Sequence, residues 1–105
     1  MPPQFQLTPQ ALDDLDAIWS YIAEDNPSAA DRVEQALFKA FHTLALHPLI
    51  GTQRRDVTPL PVRFWTVPAF PSYVVVYRPE TRPLQIVTVL HASRDRTRIL
   101  HPPPA

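Results

Sequence analysis

The sequence predicts an α+β fold: a short N-terminal strand, an antiparallel two-helix hairpin, and a curved, mainly antiparallel sheet of 3–4 strands with the hairpin packed on one face. Three observations predict it. Fourteen prolines and one glycine punctuate the chain, and because proline inside a helix or central strand forfeits a hydrogen bond, the proline-free windows are the candidate elements. Before Pro48 the apolar residues recur at intervals of three and four. After Gly51 that period is lost, and β-branched and aromatic runs replace it.

The elements follow in order. Phe5 to Leu7 reads apolar, polar, apolar, as a short strand does. Thr8-Pro9 supplies an N-cap hydroxyl and a proline for the first helical turn. Leu12, Leu15, Ile18, Trp19 and Ile22 then make an amphipathic stripe that stops near Asp25, with Trp19 in the core. Asp13, Asp14 and Asp16 are expected on the solvated face, favoured by the positive end of the helix dipole. Asn26-Pro27 repeats the cap-and-proline signature, and Val33, Leu37, Ala40, Phe41 and Leu44 mark a second helix ending before Pro48. So short a link makes the two helices antiparallel neighbours. Residues 62–67, 73–77 and 84–90 read as three antiparallel strands, with 79–83 as the last hairpin loop and a weaker strand at 53–57. A single domain is expected over residues 1–100, and the proline-rich residues 101–105 read as an unfolded tail.

Composition excludes several functions. With no cysteine there is no disulfide and no thiolate metal site. No stretch is apolar enough for a bilayer, and the first residues lack the features of a signal peptide, so the expected location is cytoplasmic. His42 and His47 are five apart, off the spacing for shared metal ligation on a helix, and one glycine cannot build a phosphate-cradling loop; no metal or cofactor is expected. The formal net charge is zero, yet seven of ten acids precede residue 35 and eight of ten bases lie from Arg54 onward.

The run Leu84 to Leu90 ends directly in His91-Ala92-Ser93-Arg94-Asp95, a polar cluster delivered by a strand end. Taken with Phe5-Gln6-Leu7-Thr8-Pro9, Ala11-Leu12-Asp13-Asp14-Leu15, Tyr21-Ile22, Asn26-Pro27, His47-Pro48, Gly51, Arg54-Arg55, Tyr73 and Tyr77-Arg78, it resembles the ParE/RelE superfamily of toxins from bacterial type II toxin–antitoxin systems, and more closely the ParE branch. The resemblance implies a toxin neutralised by a cognate antitoxin, with a role in plasmid stabilisation. In the ParE branch it implies inhibition of DNA gyrase by binding, which needs a surface rather than an acid and a base.

The RelE branch implies instead a ribosome-dependent messenger RNA endonuclease. Its chemistry needs an activated 2′-hydroxyl and cations at the phosphate, for which Arg94, Arg63, His91 and His101 are the candidates. Leu100 stands where that branch has a tyrosine. A third reading is a non-toxic homologue that retains antitoxin binding. Candidate partner-binding residues are Arg54, Arg55, Trp65, Phe70, Tyr73, Arg78, Arg94 and Asp95, set against the plainer expectations of core packing for the aromatics, a solvated face for Arg54, Arg55 and Arg63, and an Arg94–Asp95 ion pair.

Overall fold

A computed structural model describes residues 4–95 of the chain. Its elements are β1 (Phe5–Leu7), α1 (Pro9–Ala23), α2 (Pro27–Leu46), β2 (Arg63–Thr66), β3 (Tyr73–Arg78) and β4 (Leu84–His91). The four strands form one sheet in the order β1-β4-β3-β2, antiparallel except that β1 runs parallel to β4. His101 lies outside the described residues.

Both helices begin as their caps dictate. Thr8 Oγ1 accepts from the Ala11 amide at 3.1 Å and Asn26 Oδ1 from the Ala29 amide at 3.0 Å, so each satisfies an amide that the first turn leaves open. Thr8 also ties the helix to the sheet, because its hydroxyl donates to the Val87 carbonyl at 2.6 Å and so fastens the start of α1 to β4.

The stripe on α2 is buried as expected: Val33, Leu37, Ala40, Phe41 and Leu44 pack with Val75, Tyr77, Ile86 and Val89 of the sheet. The stripe on α1 is rotated from the expected one. Its buried residues are Ala11, Asp14 and Ile18, while Leu12 is 54% exposed. Asp14 therefore corrects the expectation of a solvated acidic face. Its Oδ2 accepts from the Thr88 hydroxyl and from the Val89 amide at 3.0 Å, and its Oδ1 from Gln10 Nε2 at 2.8 Å. A buried carboxylate is tolerable because these donors replace water.

The second sheet face is covered too. Phe64, Val76, Val87 and Leu90 pack with Val62 beneath Val57 and Leu60 of the loop before β2. The apolar runs in β3 and β4 are continuous rather than alternating for that reason. The strand expected at residues 53–57 does not form: residues 55–57 turn, and the contact with β2 is a single bridge from Thr52 to Phe64. Turn-forming bonds from the Val57 and Thr58 amides to the Arg54 carbonyl, both 2.9 Å, take the place of a ladder.

Candidate functional site

The sheet delivers the His91–Asp95 cluster to one end of the molecule. After His91 the chain turns back on itself: the Ala92 amide bonds the Ser72 carbonyl at 2.7 Å, the Asp95 amide bonds the His91 carbonyl at 2.9 Å, and Asp95 Oδ2 accepts from the His91 amide at 2.7 Å. Inside this turn His91 Nδ1 faces the amides of Ser93 (3.3 Å) and Arg94 (3.2 Å) and the Ser93 hydroxyl (3.1 Å). Two backbone amides can only donate, so Nδ1 is the acceptor and the ring proton belongs on Nε2. That tautomer has its basic lone pair already engaged.

Arg94 does not pair with Asp95, as the plainer expectation had it. Its guanidinium carbon lies 4.4 Å from the centroid of the Tyr21 ring on α1, and Nη2 reaches the Tyr73 hydroxyl at 3.5 Å. Tyr73 is buried and meets His91 edge-on at 5.3 Å between centroids. Tyr21 is 62% exposed. The Arg94 guanidinium thus rests on the exposed Tyr21 ring and reaches the hydroxyl of the buried Tyr73.

Arg63 is elsewhere. It faces Tyr77 across β2 and β3, whereas His91 faces Tyr73 across β3 and β4. Four residues along the strand and two strand spacings put their backbones roughly 16 Å apart. Its Nη1 donates to the carbonyls of Gly51 (2.7 Å) and Leu49 (3.4 Å), and Nε is buried with no acceptor among the described residues. Arg63 thus clamps a loop. Tyr77 holds the same loop from below: its hydroxyl donates to the Pro48 carbonyl at 2.7 Å and accepts from the Gly51 amide at 2.9 Å.

The other candidates are spread over the surface. Arg54 makes a two-point pair with Asp56 at 3.2 and 3.1 Å, which lowers the Asp56 carboxyl below its ordinary range through that hydrogen bond. Arg55 is exposed beside it, and both line a depression of about 240 Å3 together with Glu80. Trp65 and Phe70 are half-buried against the main core, as core packing predicts. Trp65 also walls a groove of about 350 Å3 with Ala36, Lys39 and Ala40 of α2. Arg78 ends β3 opposite Gln85, half-buried.

Tyr21 and Asp14 are the two site-region residues whose roles the sequence reading missed. Asp14 did carry a signal: it lies three residues from Ala11 and four from Ile18, on their face of α1. Tyr21 was visible only as a mark of the family resemblance, and nothing local signals its stacking role because its partner Arg94 is distant in sequence.

No helix among the described residues is long and apolar enough to cross a membrane. Residues 5–96 match the family model described as the ParE toxin of type II toxin–antitoxin systems. The chain is 33% identical over 93 residues, 89% of its own length and 92% of the relative's, to "Putative toxin Y4kP" of Sinorhizobium fredii (strain NBRC 101917 / NGR234). Its fold is also similar to a solved chain of the chromosomal ParDE TA system from P. aeruginosa, with a TM-score of 0.69, 23% identity, and coverage of 86% of this chain and 96% of that one. The matched span takes in every element from β1 to the Arg94 turn, and this chain belongs to the ParE family of toxins from type II toxin–antitoxin systems.

Proposed function

We propose that this toxin acts by binding: it inhibits DNA gyrase, and hence replication, in the cytoplasm, and a cognate antitoxin protein neutralises it. The observation that carries this reading is that, among the described residues, the groups an RNA-cleaving centre has to gather are dispersed. Cleavage needs a base on the 2′-hydroxyl and cations on the phosphate within hydrogen-bond reach of one another. Here the His91 Nδ1 lone pair is engaged by its own turn, and Arg63 is committed to two loop carbonyls on another part of the sheet. What the site offers instead is a fixed, exposed Arg94–Tyr21 stack, the residue types that dominate binding hot spots. Membership of the ParE branch and the ParDE name of the structural neighbour support the target and the antitoxin respectively.

The test is a supercoiling and DNA-cleavage assay with purified gyrase and the purified chain. The expected result is loss of supercoiling with accumulation of cleaved DNA, reversed by the protein encoded beside the toxin. Arg94→Ala should raise the half-inhibitory concentration by about tenfold or more. Intact gyrase activity together with cleavage of ribosome-bound messages would instead establish the endonuclease. In that case Arg94→Ala and His91→Ala should abolish cutting.

A further inference from the structure

One groove in the hairpin opens to solvent at the edge of the core, apart from Arg94 and Tyr21. Leu15, Asp16 and Trp19 of α1 face Glu34 and Phe38 of α2 across an open groove of about 270 Å3. Leu15, Trp19 and Phe38 are half-buried and make its walls apolar, while the exposed Asp16 and Glu34 bring one carboxylate from each helix to its rim. The Trp19 ring is already fixed, because Nε1 donates to Asp31 Oδ1 at 2.9 Å. An occupant therefore meets a rigid aromatic wall rather than having to order one.

The surrounding charge is one-sided. Residues 9–46 carry seven acids against two bases, and of those acids Asp14 alone is buried. The rest of the chain carries three acids against eight bases.

We infer that this groove receives a lysine- or arginine-bearing amphipathic segment of the antitoxin, an inference that rests on the antitoxin proposed above. The aliphatic stem of the incoming side chain lies along Leu15 and Phe38, and its cation sits by the Trp19 face between Asp16 and Glu34. This is helix-in-groove recognition with a charged anchor. An acidic segment meets like charge along the whole hairpin. A second copy of this chain presents the same acidic hairpin, so its own helices meet like charge there.

The experiment is calorimetric titration of the protein encoded beside this toxin into the full chain and into an Asp16→Asn/Glu34→Gln double variant. Both side chains are exposed, so the variant should fold, and its melting curve checks that it does. The dissociation constant should rise by about tenfold, with a smaller rise at high salt. Asp13→Asn/Glu24→Gln removes the same charge outside the groove and should stay within about twofold of wild type. Unchanged affinity in the groove variant, with wild type still bound, overturns the groove alone. No binding to wild type overturns the antitoxin reading and this inference with it. Self-association of the isolated chain that the groove variant abolishes would assign the groove to a second copy and overturn the antitoxin as its occupant.

Discussion

Gly51→Ala is predicted to be among the most damaging single-methyl changes available in this chain. Gly51 is buried and its φ is not positive, so glycine is required there for space rather than for backbone conformation. A Cβ at this position would lie 2.5 Å from the Tyr77 hydroxyl, 2.8 Å from Cε1 and 3.0 Å from Cζ. The ring has nowhere to go, because Tyr77 is fully buried. Any retreat also breaks the bonds of the hydroxyl to Pro48 and Gly51. Overpacking of this kind costs about 1–3 kcal/mol, and two hydrogen bonds add about 1 kcal/mol each, for a loss of about 3–5 kcal/mol. A domain of this size commonly has about 5–15 kcal/mol in all. Urea denaturation of wild type, Gly51→Ala, Tyr77→Phe and the double variant measures it. Tyr77→Phe removes the atom nearest the new methyl, so the double variant should be more stable than additivity predicts by about 1–2 kcal/mol. A Gly51→Ala loss under about 1 kcal/mol, or strict additivity in the cycle, would show that Tyr77 does not crowd position 51.

Three further outcomes follow from the same geometry. Asp14→Ala removes the buried carboxylate that accepts from the Thr88 hydroxyl and the Val89 amide and should cost about 3 kcal/mol, whereas Asp13→Ala on the exposed face should cost under about 0.5 kcal/mol; equal thermal shifts would contradict the buried role. Thr8→Ala removes both the α1 cap and the tie to Val87 and should cost about 2 kcal/mol, more than Asn26→Ala, which removes a cap alone; urea midpoints with equal losses would count against the second bond. Burial pushes the Tyr77 phenol above its ordinary value of 10.0. Above that pH the unfolded chain loses the proton while the folded chain keeps it, so this contribution is fully present below pH 10.0 and is lost as pH rises toward the folded value. The urea midpoint of wild type should therefore fall more steeply than that of Tyr77→Phe as pH rises above 10.0, and parallel profiles would contradict it.

Much of the architecture was legible because local chemistry and global fold agree. Thr8-Pro9 and Asn26-Pro27 start helices where caps and prolines say they should, and the α2 stripe is the buried stripe. The misreadings have distinct physical causes. Residues 53–57 lie beside β2 without pairing along it, because the Arg54 carbonyl takes the Val57 and Thr58 amides into a turn. Asp14 was read by its charge rather than by its place on the Ala11–Ile18 face, and charge is a poor guide where a strand edge supplies donors. At the site, the strand-end cluster was visible as a switch from apolar to polar sequence. Its working parts were not: the Tyr21 platform and the loop carbonyls that occupy Arg63 depend on tertiary contacts with no local pattern.

We propose that this ParE-family toxin blocks DNA replication by binding gyrase. Pulse-labelling after induced expression in bacteria tests it most directly, following thymidine and methionine incorporation side by side. Thymidine incorporation is expected to fail first, while methionine incorporation persists. Earlier failure of methionine incorporation, or no change in either while the chain is folded and expressed, would contradict it.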